Sequence, residues 1–213
     1  MFVQNIENRT RNFYIGFGKR AFDITLSMFL LIILSPLFII LSLLVKTDSE
    51  GPVFFTHSRI GKNGKAFKLY KFRTMKRDSE AAGPSVTSLC DTRITAQGKY
   101  LRKYKLDELP QLLNVLMGDM SIVGPRPEAE KYINEYKEDY SIILQIQPGL
   151  TDYAAIRFRN EEEILSRYKD VEEAYINEIM PDKVLLYKKY INEMSFRTDL
   201  KIVFKTLVEV IKA

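Results

Sequence analysis

An apolar run with a proline near its middle constrains this chain more than any other feature. Residues 24–45 contain no charged residue. At 1.5 Å per residue they make a helix of about 33 Å, long enough to cross the hydrocarbon core of a bilayer. Pro36 removes a helical hydrogen bond, and Ser35 can return one to the freed backbone. The run therefore predicts either two short arms that enter and leave through one leaflet or a single kinked spanning helix.

The charges beside the run bear on these alternatives. Lys19 and Arg20 precede it and Lys46 follows it. Positive residues at both ends give no strong orientation, as expected if both ends stay on the cytoplasmic side. A cleaved signal peptide is disfavoured because the run is long, contains a proline and has no small-residue cleavage site before Gly51. A buried helix of a soluble protein is the remaining alternative.

Composition limits the kinds of ligand and metal site that this chain can have. The 213 residues carry a net charge of +5, which fits an anionic membrane surface, a phosphorylated substrate or nucleic acid. Nucleic acid is disfavoured because the basic residues are spread along the chain and residues 161–173 are acidic. The single cysteine, Cys90, and the single histidine, His57, exclude a disulfide framework and make a zinc site improbable. A metal would be held by carboxylates and phosphates, which indicates Mg²⁺ or Mn²⁺.

Local patterns predict an α+β fold that is mostly helical. Residues 53–60 and 66–73 flank Asn63-Gly64 and predict a β-hairpin. This basic ribbon is either a solvated face or an electrostatic funnel for a diphosphate. Residues 76–95 predict a long loop, and residues 151–160 predict a loop or short strand. Helical spacing of apolar residues predicts helices over residues 96–105, 128–147, 161–193 and 195–212. The last of these helices is amphipathic, and its apolar side either packs on the domain or lies at a lipid interface.

The stretch LDELPQLLNVLMGDMSIVGPRP, residues 106–127, carries the strongest indication of chemistry. Asp107 and Glu108 stand at a predicted helix start, with Pro110 in its first turn and Gly118 at its end. Acidic residues there are common for stability alone. The stiff turn Pro125-Arg126-Pro127 follows one helix later, which favours a site built from the acids and the arginine.

These pieces together resemble the bacterial sugar transferases, also called monotopic polyprenyl-phosphate phosphoglycosyl transferases. The matching segments are KRAFDITLSMFLLIILSPLFII, GPVFFTHSRIGKNGKAFKLYKFRTM, LRKYKLDELPQLLNVLMGDMSIVGPRPE, QPGLT and SFRTDLKIVF. The chain looks like the minimal form, without the four-helix membrane domain of larger members. The resemblance implies a re-entrant membrane helix broken at Ser35-Pro36 and a small cytoplasmic domain with interfacial amphipathic helices.

The resemblance also implies a reaction. A membrane-bound polyprenyl (undecaprenyl) phosphate takes a sugar-1-phosphate from a UDP-sugar, and UMP leaves. Asp107 matches the family nucleophile, which forms a covalent aspartyl-phosphosugar intermediate. Glu108 matches its partner, which helps to hold Mg²⁺ or assists the lipid phosphate, so that both acids are candidate metal ligands. The residues that match substrate-phosphate or nucleotide-binding positions are Arg126, Arg102, Arg159, Lys71 and Arg73, the last two without an assigned step.

The expected organisation is an N-terminal surface segment over residues 1–18, a re-entrant helix over 19–46 and a catalytic domain over 47–213. The expected location is the cytoplasmic face of the bacterial inner membrane, at the first membrane step of surface glycan assembly. Expected partners are the UDP-sugar, polyprenyl phosphate and lipids, with a second copy or downstream glycosyltransferases as further candidates. The family motif after Pro148-Gly149 differs here, so the resemblance does not indicate which sugar is transferred. An inactive membrane scaffold and a membrane-anchored nucleic-acid binder are the alternatives.

Overall fold

The computed structural model describes residues 13–76 and 91–212, which form a mostly helical α+β fold. The helices are α1 Lys19–Ile33, α2 Ser35–Asp48, α3 Ala96–Lys103, α4 Gln111–Met117, α5 Glu130–Glu135, α6 Lys137–Ile143, α7 Tyr153–Arg157, α8 Glu161–Leu165, α9 Val171–Ala174, α10 Met180–Glu193 and α11 Phe196–Ile211. The strands are β1 Phe54–Ile60, β2 Ala66–Phe72, β3 Ser121–Val123 and β4 Gly149–Thr151. The predicted fold class is confirmed, and residues 1–12 and most of the predicted loop 76–95 lie outside the described residues.

The apolar run is two helices joined at a sharp bend, as its sequence predicts. Helices α1 and α2 meet at Leu34, and Tyr14–Ile33 and Ser35–Asp48 are bent by 64°. The Ser35 hydroxyl donates to the carbonyl of Ile32 at 2.8 Å, the carbonyl that loses its helical donor to Pro36. Among residues 13–76 and 91–212, no single helix is long and apolar enough to span a membrane. The two helices of this bent pair together have the length and composition of a broken membrane span or a re-entrant loop.

Helix α1 buries a polar stripe and exposes an apolar one. Its buried residues are Lys19, Asp23 and Ser27, which recur every four positions along the face toward the domain. On the outer surface, Phe29 and Ile32 are 57% and 67% exposed. This pattern is the reverse of that of a surface helix in a soluble protein.

A buried ion pair fastens the start of α1 to the rest of the fold. Lys19 Nζ donates to Asp199 of α11 at 2.5 Å, to the Tyr190 hydroxyl at 2.9 Å and to the Val123 carbonyl at 2.8 Å. The hydroxyls of Tyr14 and Tyr190 also donate to Asp199, at 2.6 and 2.8 Å. Every charge in this cluster is therefore hydrogen-bonded, which is the condition under which buried charges are tolerated.

The predicted hairpin is confirmed, and a helix is attached to its edge. Strands β1 and β2 pair antiparallel from Phe54↔Phe72 to Ile60↔Ala66. Asn114 of α4 accepts from the Tyr70 backbone N–H at 3.0 Å and donates to the Lys68 carbonyl at 2.7 Å. This side chain replaces a neighbouring strand at the open edge of β2, so α4 and the hairpin have a fixed relative position.

Strands β3 and β4 pair parallel, although their partners, such as Ser121 and Gly149, lie 28 positions apart in the chain. Gly124 and Gly149 approach through their backbones at the end of this pair. A Cβ on Gly149 would lie 2.1 Å from Gly124 N, and one on Gly124 would lie 2.6 Å from Gln147 O. Only glycine permits this approach, and it sets the position of the following Pro125-Arg126-Pro127 turn.

Two predictions of secondary structure need correction. The prediction of a loop or short strand is wrong for Tyr153–Arg157, which is helical because Asp152 caps it by accepting from Ala155 N at 2.6 Å. The sequence left open whether the apolar stripe of α11 packs on the domain or lies at a lipid interface; Leu200, Phe204 and Ile211 of this stripe are 52%, 68% and 84% exposed. The predicted helix over 161–193 is divided into α8, α9, a π-helical turn and α10.

Candidate active site

The two acids lie in a short turn directly before α4. Asp107 and Glu108 belong to a 3₁₀ turn, Leu106–Glu108, that follows Lys105 in the left-handed region at φ 56°. Both are buried, with 5% and 8% of their surface exposed. Helix α4 then ends at Gly118, also left-handed at φ 92°, as the sequence predicts. The acids therefore precede the helix, which begins at Gln111, a few residues after the predicted start.

Glu108 is paired with two cations. Lys71 of β2 donates to its Oε1 at 2.9 Å, and Arg126 donates to both oxygens, at 3.0 Å to Oε2 and also to Oε1. Burial alone would raise the pKa of Glu108, but the charges of Arg126 and Lys71 overcome burial and hold that pKa well below its usual range. Glu108 is therefore an ionised anchor that joins the hairpin to the Pro-Arg-Pro turn.

Asp107 is in a different electrostatic state from its neighbour. Its Oδ1 is buried and has no hydrogen-bond partner in the part of the chain that the structure describes. Burial raises the pKa of Asp107, the charge of Lys71 opposes that rise, and the charge of Glu108 adds to it. A desolvated carboxylate with an unpaired oxygen is costly in a fold and is typical of a reactive group.

Arg126 is positioned by a residue that the sequence did not single out. Asp152 Oδ2 accepts from the Arg126 backbone N–H at 2.9 Å, while Oδ1 caps α7. Burial raises the pKa of Asp152 to about 6, against the opposing effect of these hydrogen bonds. The N-cap pattern of Asp152 before Tyr153-Ala154-Ala155 could have indicated the helix. No local pattern indicates the contact with residue 126.

The other predicted arginines have separate partners. Arg102 donates to the Thr74 hydroxyl at 2.9 Å and to Glu162 at 3.0 Å, and its charge still lowers the pKa of Asp107. Arg159 pairs with Glu209 at 3.8 Å, and its Nη2 is buried without a partner among the described residues. The structure thus brings Arg102 near the acids, and no contact among residues 13–76 and 91–212 joins Arg159 to them.

Arg73 holds the exit of α2. Its guanidinium donates to the carbonyls of Val45 at 3.2 Å and of Ser49 at 2.5 Å, and also to the Pro52 carbonyl. Gly51, at φ 122°, provides space for the guanidinium of Arg73, because a Cβ at residue 51 would lie 2.7 Å from Arg73 Nη1. Arg73 therefore anchors the end of α2 beside β2, and its role toward a substrate stays a prediction.

The basic hairpin has two different faces. Residues paired across the strands share a face, so Phe55, opposite Lys71, lies on the same side as His57 and Arg59. These residues are half-buried and face the Glu108–Arg126 pair, whereas Lys68 is exposed on the opposite side. Part of the ribbon therefore lines the site, and part is a solvated face.

The site residues fit a divalent cation only in partnership with a ligand. In residues 13–76 and 91–212, no group of three or more His, Cys, Asp or Glu side chains is placed to hold a metal ion. Asp107 presents an unpaired, buried carboxylate oxygen of the kind that Mg²⁺ prefers. Glu108 already accepts from two cations. The donor set suits an ion whose remaining ligands are phosphate oxygens and water.

Comparisons with known proteins identify the family of this chain. The family model described as "Bacterial sugar transferase" matches residues 14–213. The undecaprenyl-phosphate glucose phosphotransferase of Komagataeibacter xylinus is 39% identical over 196 residues, which cover 89% of this chain and 35% of that protein. The UDP-glucose:undecaprenyl-phosphate glucose-1-phosphate transferase of Escherichia coli (strain K12) is 39% identical over 193 residues, covering 89% of this chain and 39% of that protein.

A relative of similar size also matches. The exopolysaccharide production protein ExoY of Sinorhizobium fredii is 37% identical over 207 residues, which cover 90% of this chain and 84% of that protein. The chain thus spans less than half of the first two relatives and most of the third. The chain belongs to the bacterial sugar transferase family.

Proposed function

We propose that this protein transfers a sugar-1-phosphate from a UDP-sugar to polyprenyl (undecaprenyl) phosphate, with release of UMP, as the first membrane step of a surface glycan. The observation that carries the proposal is the buried, unpaired carboxylate of Asp107 beside the Lys71–Glu108–Arg126 cluster. Relatives named as undecaprenyl-phosphate glucose and galactose phosphotransferases support the substrate class. An inactive scaffold is disfavoured because both acids and the arginine are present and assembled.

The chemistry proceeds in two displacements at one phosphorus. A carboxylate oxygen of Asp107 attacks the sugar-bearing phosphorus, an acyl-phosphate bond forms, and the P–O bond to UMP breaks with its electron pair on UMP. A phosphate oxygen of the lipid then attacks the same phosphorus. The acyl-phosphate bond breaks, the Asp107 carboxylate is restored and polyprenyl-diphosphate-sugar is formed.

Each neighbouring group has a role in this scheme. Asp107 attacks only as the carboxylate, and the charges of Lys71 and Arg102 favour that form against burial. Glu108 holds Arg126 and Lys71 in place, and in this scheme their positive charges bind the diphosphate of the donor. Mg²⁺, when bound by Asp107 and the phosphates, with Glu108 as the second candidate carboxylate, would neutralise charge on the diphosphate.

The proposed location is the cytoplasmic face of the membrane, with the α1–α2 pair entering and leaving one leaflet. The support is the outward apolar surface of both arms, where Ile39 and Leu43 of α2 are 64% and 63% exposed. The exposed stripe of α11 adds a second apolar surface suited to an interface. A site beside such surfaces would receive a lipid phosphate from the bilayer and a nucleotide from water.

The test is release of UMP from a panel of UDP-sugars by purified, detergent-solubilised protein with polyprenyl phosphate and Mg²⁺. We expect release with one sugar, dependent on the lipid phosphate and absent in Asp107→Asn. Asp182→Asn, at an exposed ion pair with Arg157, is the matched control and should retain activity. Wild-type turnover in Asp107→Asn would overturn the covalent mechanism. Failure of every sugar in both the forward and the UMP-dependent reverse reaction would overturn the proposed function.

A further inference from the structure

His57 has a position that the transfer chemistry above does not use. It is the single histidine of the chain, and it lies on the inner face of β1 opposite Leu69. The register makes Lys71 its diagonal neighbour on β2, at about 7–8 Å between such positions. The Phe55 ring lies 5.4 Å from the imidazole, centroid to centroid, and packs against it from the same face. His57 is thus part of the wall that holds Lys71 against Glu108.

One imidazole nitrogen is buried and unpaired. Nε2 of His57 has no hydrogen-bond partner in the part of the chain that the structure describes, although it is shielded from solvent. Buried polar atoms in folded proteins are hydrogen-bonded in the great majority of cases, and an exception at a site calls for a ligand or water. Nε2 shares this state with Asp107 Oδ1, and both residues feel the charges of Lys71 and Glu108.

The surrounding charges keep the imidazole neutral. Burial lowers the pKa of His57 to about 2, and the charges of Arg59, Lys71 and Arg126 act in the same direction. Glu108 opposes them only in part. A neutral imidazole offers one N–H donor and one acceptor, so His57 contributes a directional hydrogen bond rather than a further charge.

We propose that His57 donates a hydrogen bond from Nε2 to a phosphate oxygen of the nucleotide-diphosphate donor, and so is a substrate-binding residue of the hairpin wall. This inference rests on the proposed function. The positive charges of Arg59, Lys71 and Arg126 near His57 favour an anionic ligand. The oxygens of an anion such as a diphosphate accept hydrogen bonds, so they can pair with an N–H at Nε2. Phosphate oxygens therefore match the nitrogen better than the donor's amide N–H or the lipid's apolar chain.

The single histidine makes the contact directly observable. Protein produced with ¹⁵N,¹³C-histidine and a histidine-free affinity tag gives one set of imidazole signals. UDP is the probe, because it carries the diphosphate without a sugar to transfer, and uridine is its control. We expect a saturable change of the Nε2 signal with UDP, the nitrogen remaining protonated, and no change with uridine.

The possible outcomes separate the two proposals. Calorimetry on the same sample shows whether UDP binds at all. If UDP binds and UDP-sugar turns over while the imidazole signals stay unchanged, this inference is wrong and the proposed function stands. An equal response to uridine would assign His57 to the nucleoside and would also overturn the phosphate contact. Absence of UDP binding would overturn the phosphate contact, whereas the proposed function is decided by the UMP-release assay.

Kinetics give a second, independent test. His57→Phe keeps a ring against Phe55 and removes both nitrogens, and we expect kcat/KM for the UDP-sugar to fall about tenfold, the scale of a hydrogen bond to a charged group. His57→Gln retains an N–H donor and should recover most of that loss. Ser58→Ala, on the exposed face of the same strand, is the matched control. Melting temperatures equal to the wild type are expected throughout.

A purely structural role predicts a different result. In that case His57→Phe would lower the melting temperature without a selective loss of kcat/KM for the donor, and His57→Gln would give no kinetic recovery. Either finding would overturn the inference. If His57→Phe does not fold, His57→Gln against Ser58→Ala decides it, with the NMR titration of the wild type as the direct measurement.

Discussion

Two buried aspartates in this protein have opposite surroundings. Asp199 is 0% exposed and accepts hydrogen bonds from Lys19, Tyr14 and Tyr190. Asp107 is 5% exposed, and its Oδ1 has no partner in residues 13–76 and 91–212. The carboxylate of Asp199 joins elements that lie far apart in sequence. The carboxylate of Asp107 lies beside cations that bond to Glu108 instead.

The contrast teaches how burial is used in the two regions. A fully paired ion holds a fold in one arrangement, and removal of one partner leaves an uncompensated charge. An unpaired buried carboxylate costs stability locally. It persists because the surrounding cations and helices hold the aspartate in one position. Burial without a partner therefore distinguishes Asp107, the proposed nucleophile, from Asp199, whereas burial alone does not.

The largest expected effect separates the two aspartates by activity. Asp107→Asn should lower kcat by at least about 1,000-fold, since the amide cannot attack phosphorus. Its melting temperature should equal or exceed that of the wild type, because the amide avoids the cost of burying a charge. UMP release and thermal unfolding in detergent measure the two quantities. A large loss of stability together with retained turnover would remove the contrast.

The second effect tests the paired cluster through stability. Lys19→Met leaves Asp199 without its cation, and the free energy of unfolding should fall by about 3–5 kcal/mol. Lys19→Met combined with Asp199→Leu should recover much of that loss, because no buried charge remains. Lys188→Met, which breaks the more exposed pair with Asp139, should cost at most about 1 kcal/mol. Equal losses in the two single lysine variants, measured by denaturant unfolding, would contradict this prediction.

The third effect concerns pH. In the proposed mechanism Asp107 attacks as the carboxylate, and burial raises its pKa, so activity should be lost on acidification at a higher pH than for an ordinary aspartate. The charge of Lys71 lowers the pKa of Asp107, and Lys71→Met should therefore move this acidic limb further upward, with about a tenfold loss of kcat on its acidic side. Lys68→Met, on the outer face of the same strand, should leave the profile of kcat against pH unchanged.

The smallest effect concerns positioning. Asp152→Asn replaces one of two acceptors by an NH₂ group, so either the Arg126 or the Ala155 backbone N–H loses its partner. We expect kcat/KM for the UDP-sugar to fall by about three- to tenfold, the cost of about one hydrogen bond. Asp170→Asn, at the exposed N-cap of α9, should affect stability alone. Equal kinetic effects in the two variants would show that Asp152 acts only as a helix cap.

The sequence predicted those parts of the molecule in which local chemistry decides the structure. Asn63-Gly64 predicted the hairpin turn, Gly118 the end of α4, and Ser35-Pro36 the bend, which the structure confirms. Asp107, Glu108, Lys71 and Arg126 were predicted as site residues, and the structure places them together at Glu108 or beside it. The roles assigned to them remain predictions.

Other parts were not predictable because they depend on contacts distant in sequence. The Lys19–Asp199 pair joins residues 180 positions apart, and neither residue carries a local sign of burial. Strands β3 and β4 have three residues each, too few to show a period, so their pairing and the contact of Asp152 with Arg126 remained hidden. Arg73 was grouped with the phosphate-facing residues because of its motif, whereas the structure shows its guanidinium bonded to the end of α2.

The meeting of Gly124 and Gly149 has an evolutionary consequence. A methyl group at either position would collide with main-chain atoms, and main-chain atoms cannot be made smaller by a second mutation elsewhere. Most packing faults can be corrected by trimming the neighbouring side chain, so sequences drift through pairs of compensating changes. This joint offers no such route. Descendants of this chain can alter the surroundings of Arg126 freely only while both glycines persist.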